Sequence, residues 1–142
     1  MRLRKTVTVD KPVDKVFAYL SDFATTTEWD PGTVQTVRIA GDGALGTEYR
    51  NTTKFAGRQT QLTYVVDELV PNQRFALYGE NKTVSAHDTM TFRSSGAGTE
   101  VTYTADFTFK GPTRFLAALL KPAITRLGDR AEAGMRDALN RL

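Results

Sequence analysis

The sequence contains no cysteine and only one histidine, His87. The absence of cysteine excludes disulfide bonds, thiol nucleophiles and thiolate metal ligands. Zinc and non-haem iron sites usually use two or three imidazole ligands, so we expect no catalytic metal and no cofactor. A Ser-His-Asp triad would have to include His87, and the sequence has no GxSxG-type motif to accompany it.

Long apolar runs and charge of one sign are also missing. The longest apolar run, residues 115–120, is far too short to cross a bilayer, and no apolar signal segment follows the basic residues 1–5. The net charge is +3, and the basic residues are scattered among acidic ones. We therefore expect a cytoplasmic protein with no stable membrane insertion and no nucleic-acid partner.

The composition that remains is typical of one globular domain, residues 1–142. The chain has 142 residues, of which 40% are hydrophobic and 25% are charged. This length is close to the commonest size of a single domain. Threonine occurs 21 times, which favours β-strands because β-branched side chains fit a pleated surface.

Alternation of polar and apolar residues predicts seven strands. We place them at residues 5–10, 34–40, 47–55, 58–70, 74–80, 84–93 and 99–110. Short segments rich in glycine, asparagine and serine separate the last six, which predicts hairpins and antiparallel pairing. In the last strand Val101, Tyr103 and Phe107 alternate with threonines, so one face of the sheet is apolar and must be covered.

Segments with helical spacing of apolar residues are predicted to cover the apolar face of the sheet. Val13, Val16 and Phe17 predict a first helix after Pro12, and residues 23–28 predict a second short helix. The C-terminal segment from residue 124 has one continuous apolar face, and Pro122 predicts that residues 115–120 form a separate or kinked start. The prediction is an α+β fold in which a seven-stranded antiparallel sheet curves around a long C-terminal helix, with two short helices after the first strand.

Three segments of the sequence resemble one known superfamily. They are PVDKVFAYLSD (residues 12–22) followed by Trp29-Asp30-Pro31, ELVPNQRF (68–75) and GTEVTY (98–103). In this order they resemble the START-like, or SRPBCC, superfamily, and within it the polyketide cyclase/dehydrase and lipid-transport branch. The resemblance implies a helix-grip fold with an internal apolar cavity that holds lipids, polyketides, hormones or aromatic compounds.

The predicted buried face of the last helix carries two glycines, Gly128 and Gly134. Each costs about 0.8–1 kcal/mol relative to alanine within a helix, so each needs a reason. One reason is close packing of the helix backbone, which a leucine at Gly134 would disrupt. The other reason is space for a ligand, in which case a leucine at Gly134 would be tolerated and would block binding.

A ligand in that space would contact mostly apolar side chains. From the sheet and the short helices we expect Trp29, Tyr49, Leu62, Tyr64, Met90, Phe92, Tyr103 and Phe107, with Phe115 and Leu119 near the mouth. From the last helix we expect Leu127, Gly128, Ala131, Gly134 and Met135. For each aromatic residue, an ordinary place in the core is the alternative.

Polar candidates are fewer. Asp88 has the same alternation phase as Met90 and Phe92, so it is predicted to point inward and is a weak candidate for a catalytic or ligand-binding carboxylate. Glu68 shares the inward phase of Tyr64. For both carboxylates the alternative is a place at the open end of the strand or past a β-bulge. His87 has the opposite phase and is expected on the surface.

Three interpretations of function follow. The first is binding of a small hydrophobic molecule without chemistry. The second is an enzyme of the cyclase, dehydratase or isomerase type that needs no metal, in which Asp88 or a tyrosine moves a proton. The third is a protein-interaction module that uses residues 115–120 and the basic N-terminus, and the same patch would equally serve a homodimer.

Overall fold

A computed structural model describes all 142 residues and shows one seven-stranded antiparallel sheet. The strands are Arg2–Val9 (β1), Thr33–Ala40 (β2), Glu48–Phe55 (β3), Arg58–Val70 (β4), Arg74–Glu80 (β5), Val84–Ser95 (β6) and Gly98–Phe109 (β7). The helices are Val13–Leu20 (α1), Thr26–Trp29 (α2) and Ala117–Asn140 (α3), and 3₁₀ segments occupy Phe23–Thr25 and Gly111–Leu116. This architecture confirms the predicted α+β fold.

The order of strands across the sheet is β1-β7-β6-β5-β4-β3-β2. Strands β2 to β7 are therefore a meander of hairpins, as the short connections predict. Strand β1 joins the far edge, where it pairs with β7 along its whole length and aligns Val7 with Val101. The first and last strands of the chain are thus neighbours.

A β-bulge in β4 changes which side chains point inward. The register with β5 shifts between Val66 and Glu68, so Asp67 is an extra residue. Because of this shift, Glu68 is half-exposed and forms an ion pair with Arg74. The inward orientation that strict alternation predicts for Glu68 is therefore wrong.

Helix α3 is continuous from Ala117 and passes through Pro122. Of the two predicted forms of residues 115–120, a separate helix or a kinked start, the separate helix is therefore wrong. Proline removes the hydrogen bond to the carbonyl four residues earlier, that of Ala118. Both residues are exposed, so water can satisfy this carbonyl and the helix continues. None of the helices combines the length and apolar character that crossing a bilayer requires.

One end of the sheet is filled by a compact core. Side chains from α1 and from the turn after it pack on the sheet, and the C-terminal half of α3 completes the cluster with Met135, Ala138 and Leu139. Aromatic contacts are prominent here, with the rings of Phe17 and Phe92 meeting edge to face at 5.1 Å. The other end of the sheet, under the N-terminal half of α3, is less completely filled.

At Gly134 the backbone of α3 lies directly against another segment of the chain. A Cβ atom at this position would overlap the carbonyl oxygen of Trp29 and lie 3.1 Å from the ring of Pro31. Glycine is therefore required by close packing of backbone on backbone. The alternative in which Gly134 leaves space for a ligand, and a leucine is tolerated, is wrong.

Gly128 has a different environment, although it lies on the same helix. A Cβ atom here would lie 3.1 Å and 3.3 Å from the methyl groups of Leu3 and 3.6 Å from Cε of Lys5. These are the flexible ends of side chains on β1. The two glycines therefore differ in what surrounds them, and their substitutions should differ in effect.

We expect Gly134→Ala to lower the free energy of unfolding by about 1–3 kcal/mol, because the overlap with the Trp29 carbonyl outweighs the gain in helix propensity. Gly128→Ala is the matched control and should change stability by less than about 1 kcal/mol. Urea denaturation of both variants measures the difference. Equal stabilisation by the two substitutions would contradict the close-packing assignment.

Candidate binding cavity

A cavity of about 250 Å³ lies between the sheet and the N-terminal half of α3. Its walls come from α2 and the residues after it, from strands β2, β3, β4, β6 and β7, from the 3₁₀ turn before α3, and from α3 itself. Hydrophobic residues supply 14 of its 23 lining positions, so its interior is predominantly apolar. Leu116 lines the cavity and is 47% exposed, which places the mouth at this turn.

The structure brings about half of the predicted residues to this cavity. The predicted residues that line it are Trp29, Leu62, Tyr64, Asp88, Tyr103, Phe107 and Leu127. They lie on α2, β4, β6, β7 and α3, so five separate elements meet around one space. Alternation correctly indicates the inward face of each of these strands.

Other predicted residues lie in the core instead. The ring of Tyr49 packs against Phe23 at 5.7 Å, and Phe92 packs against Phe17. Met90 is fully buried in the same cluster. They point inward as predicted, but α1 and the following turn cover that end of the sheet and leave no space above them.

The predicted residues from the C-terminal half of α3 do not line the cavity either. Gly134 contacts the backbone of Trp29. Gly128, Ala131 and Met135 border a separate gap of about 10 Å³ beside β1, which is no larger than one water molecule. The cavity lies further along α3 toward its N-terminus.

Phe115 and Leu119 are also misplaced by the prediction. Their side chains are 72% and 77% exposed, and Leu116 and Leu120 line the cavity in their place. The reason is the continuity of α3, because its inward face is set by Ile124 and residues at helical spacing before it. The exposed pair is the patch on which the hypothesis of a protein-interaction module depends.

A polar wall, which sequence reasoning missed, closes the cavity on the side of β2 and β3. Asn51 donates from Nδ2 to Oγ1 of Thr36 at 2.8 Å and accepts from Oγ1 of Thr53 at 2.7 Å. The hydroxyls of Thr26 and Thr36 are 2.6 Å apart. The signal was present in β3, where Asn51 and Thr53 share the inward phase of Tyr49.

Asp30 belongs to the same wall. Its carboxylate accepts hydrogen bonds from the backbone N–H of Gly32 and from Oγ1 of Thr33, each at 3.0 Å. Burial nevertheless raises the pKa of Asp30 above its usual value, and these two bonds only partly oppose it. The polar side chains of this wall are therefore satisfied by one another and by the backbone.

Asp88 is a buried carboxyl that its neighbours satisfy only in part. It is 4% exposed and accepts a hydrogen bond on Oδ2 from the hydroxyl of Tyr103 at 2.7 Å. Its other oxygen, Oδ1, is buried and has no partner. Burial raises the pKa of Asp88 to about 7, and the bond from Tyr103 opposes this shift. Asp88 thus titrates near neutral pH.

Two further aromatic side chains, Tyr64 and Trp29, lie near the pair formed by Asp88 and Tyr103. The ring of Tyr64 lies over Gly79 on the neighbouring strand, where a Cβ atom would come within 2.6 Å of it. Trp29 meets the ring of Tyr103 edge to face at 6.1 Å, and its buried Nε1 has no hydrogen-bond partner. Oδ1 of Asp88 and Nε1 of Trp29 are thus the two buried side-chain polar atoms without a partner, and both belong to residues that line the cavity.

His87 lies on the opposite face of the sheet, as the alternation predicts. Its Nε2 is 3.0 Å from Oδ2 of Asp67, and both side chains are nearly half exposed. It does not line the cavity.

The raised pKa of Asp88 predicts a specific dependence of stability on pH. Its folded-state pKa lies above its unfolded value, so the folded chain binds more protons between about pH 4 and about pH 7. The contribution of Asp88 to the free energy of unfolding is therefore fully present below its unfolded-state pKa. This contribution is lost as pH rises through its folded-state pKa. Asp88→Asn keeps an oxygen that accepts the hydrogen bond from Tyr103. Because an amide does not ionise, the variant does not lose this stability as pH rises.

We therefore expect Asp88→Asn to be more stable than the wild type at about pH 8, by at most about 4 kcal/mol. The difference should disappear near pH 4. Guanidinium denaturation of both proteins across this range measures it. Parallel pH profiles for the two proteins would contradict a buried, readily protonated Asp88.

Comparison with known proteins gives one match to a protein family. The family model described as "Polyketide cyclase / dehydrase and lipid transport" matches residues 1–142. No functionally curated protein matches the sequence significantly.

Solved structures share the fold at low sequence identity. The chain is similar to the ZhuI aromatase/cyclase from Streptomyces sp. R1128, with a TM-score of 0.84, 20% identity, and coverage of 99% of this chain and 94% of that one. It is also similar to TTHA0849 from Thermus thermophilus, with a TM-score of 0.82, 16% identity, and coverage of 96% and 95%. A START superfamily protein from Mycobacterium smegmatis has a TM-score of 0.74, 16% identity, and coverage of 98% and 94%. These likenesses confirm the predicted START-like, helix-grip fold.

Proposed function

This chain belongs to the polyketide cyclase/dehydrase and lipid transport family, and from that premise we propose that it binds a small hydrophobic molecule between the sheet and α3 without transforming it. The observation that carries the proposal is the predominantly apolar cavity of about 250 Å³. Ligand sites in proteins are typically concave, mostly apolar and fitted with a few polar groups. The cavity has this character.

The size of the cavity restricts the ligand. Ligand pockets commonly measure about 300–1,000 Å³, so a cavity of about 250 Å³ is small. Several aromatic side chains, among them Tyr64, Phe107 and Phe109, occupy space at its walls. A compact molecule with one or two rings suits this volume better than a long acyl chain.

The turn before α3 is one place where the cavity borders the surface. Leu116 borders the cavity and is 47% exposed, and Thr113 of the same turn also lines it. The turn holds its place through hydrogen bonds from Thr113 Oγ1 to the carbonyls of Thr83 and Lys110. A ligand that enters here reaches Asp88 and Tyr103 at the cavity wall.

A second candidate function is catalysis of proton transfer on a polyketide-like substrate. The observation that favours it is Asp88, whose pKa of about 7 makes it able to donate or accept a proton near neutral pH. The similarity in fold to an aromatase/cyclase from Streptomyces sp. R1128 agrees with this candidate. The two candidates share the cavity and differ in whether a bound molecule is changed.

Ligand binding is tested by filling the cavity. Ala86 is buried and lines the cavity from β6. We expect Ala86→Leu to weaken binding of naphthalene by roughly tenfold or more, since the added methyl groups occupy the ligand's space, while the melting temperature holds or rises. Isothermal titration calorimetry and thermal unfolding measure the two effects.

Met90→Leu is the matched control, because Met90 is buried on the same strand but lies outside the cavity. This change conserves volume and should leave naphthalene binding unaltered. Failure of the wild type to bind naphthalene would overturn the proposed function. Unaltered binding by Ala86→Leu would show that the ligand does not occupy this cavity.

Catalysis is tested separately with 2-tetralone, a compact two-ring ketone, in deuterated water. If the protein only binds, the wild type should exchange the hydrogens next to the carbonyl no faster than buffer does. A general base at Asp88 would accelerate this exchange, and the exchange rate would change with pH around the pKa of about 7. The acceleration would be absent in Asp88→Asn. Nuclear magnetic resonance follows the exchange directly.

A further inference from the structure

The turn before α3 and the first residues of that helix expose an apolar patch formed by Phe115, Leu116 and Leu119. Phe115 and Leu119 have the two most exposed large hydrophobic side chains of the chain, and neither belongs to the core or lines the cavity. Leu116 lies between them and borders the cavity. Clustered apolar side chains on a surface mark an interaction site, whereas single ones need no explanation. Ligand binding inside the cavity does not explain this patch.

Unpaired positive charge surrounds the patch. Residues 107–128 contain four basic side chains and no aspartate or glutamate. Three of the four, Arg114, Lys121 and Arg126, are exposed and have no carboxylate within ion-pair distance. The fourth pairs with Glu80. The outer side of this segment thus combines apolar and cationic groups.

The carboxylates that flank this segment do not neutralise it. Asp106 pairs with Arg2, and Asp129 pairs with Lys5. Both basic partners lie on β1, outside the segment. The three free cations therefore remain available to a negatively charged partner.

Two neighbouring connections add positive charge at the same end of the sheet. The connection between β5 and β6 is tied to the turn before α3, because the hydroxyl of Thr113 donates to the carbonyl of Thr83 at 2.9 Å. Lys82, next to Thr83, is exposed. In the β3–β4 hairpin Arg58 pairs with Phe55 across the strands, so both side chains lie on the cavity side of the sheet. Neither Lys82 nor Arg58 forms an ion pair.

Arg114 and Phe115 present charge and apolar surface together. The guanidinium carbon of Arg114 lies 4.9 Å from the centroid of the Phe115 ring, which is a cation–π contact. Leu119 and Arg126 are seven residues apart on α3, so they lie on one side of the helix, about two turns apart. Exposed Phe and Leu beside Lys and Arg are typical of segments that lie on anionic bilayers.

We propose that the apolar patch and the unpaired basic side chains around it form a docking face that binds reversibly to the surface of an anionic lipid bilayer. Phe115 and Leu119 enter the headgroup region, and Arg114 and Lys121 contact lipid phosphates. In this orientation the border of the cavity at Leu116 faces the bilayer. This inference goes beyond the ligand-binding function proposed above and does not depend on it.

The charge and shape of the docking face favour a bilayer over other occupants. A second copy of the chain that docked through the same face would bring like charges together, which is unfavourable. An acidic protein would match the charge, but it would need a pocket shaped to receive Phe115 and Leu119, which project from the surface. A bilayer needs no such pocket, because its headgroup region accommodates projecting apolar side chains.

Sedimentation of the full chain with lipid vesicles tests the proposal. We expect the wild type to bind vesicles of equal parts phosphatidylcholine and phosphatidylglycerol, and to bind vesicles of phosphatidylcholine alone roughly tenfold or more weakly. Salt screens the attraction between basic side chains and lipid phosphates. Binding to the anionic vesicles should therefore weaken as sodium chloride rises from about 50 mM to about 500 mM.

Two double variants separate the apolar and the charged contributions. Phe115→Ser with Leu119→Ser should weaken binding to the anionic vesicles by roughly tenfold or more, because less apolar surface leaves water on docking. Arg114→Gln with Lys121→Gln should also weaken it by roughly tenfold or more, since each basic residue at an anionic surface contributes about fivefold. All four side chains are exposed, so neither double variant should change the melting temperature.

Leu45→Ser and Lys15→Gln are the matched controls. Leu45 is exposed in the connection between β2 and β3, at the opposite end of the sheet, and Lys15 is exposed on α1. Both variants should bind the anionic vesicles as the wild type does.

Absence of binding to the anionic vesicles would overturn this inference, and so would binding that Phe115→Ser with Leu119→Ser leaves unchanged. A dimer in analytical ultracentrifugation that this double variant abolishes, without vesicle binding, would identify a second copy as the occupant. Binding to polyglutamate without vesicle binding would identify an acidic protein instead. Either result overturns the inference, and neither bears on naphthalene binding, which tests the proposed function separately.

Discussion

The contact of Gly134 with the carbonyl oxygen of Trp29 fixes how α3 crosses the sheet. At this point the helix lies directly against the backbone at the end of α2, with no space for a side chain between them. The C-terminal half of α3 joins the core through Met135 and Leu139. The N-terminal half continues over the sheet with fewer contacts below it, and the cavity is the volume that remains. Gly134 thus allows the close contact that positions α3 next to the cavity.

Sequence reasoning predicted the fold well because its signals are local. Alternation places β4 and β5 at their observed residues, and turn residues between strands imply antiparallel pairing. The inward phase failed at Glu68, where a bulge reverses it, and a bulge leaves no clear mark in one sequence. The separate helix that was one alternative for residues 115–120 does not form, because a proline at an exposed position interrupts a helix less than its residue type suggests.

The candidate site was harder to predict than the fold. Alternation identifies inward residues such as Leu62 and Met90 equally well, but only the packing of α1 decides that Met90 is covered and Leu62 faces the cavity. The glycines were ambiguous for the same reason, since Gly134 meets backbone and Gly128 meets flexible side chains. Such distinctions depend on contacts between distant segments, and these are not encoded in periodicity.

Asp88 is a position at which the native side chain destabilises the fold. A buried carboxyl with one unpaired oxygen is unfavourable, and an apolar residue between Ala86 and Met90 would suit the core better. Unfavourable buried groups of this kind are common at functional sites. The same cavity is otherwise built from side chains that satisfy one another, so the cost is confined to the surroundings of Tyr103.

The pairing of β1 with β7 has a consequence for the order of folding. Val7 aligns with Val101, so the edge of the sheet closes only after almost the whole chain is available. Contacts between such remote segments slow folding because loop closure must precede them. Tyr103 and Phe107 lie on the same β7 strand and line the cavity. A molecule bound in the cavity therefore stabilises the folded chain, in which this edge is closed, over the unfolded one.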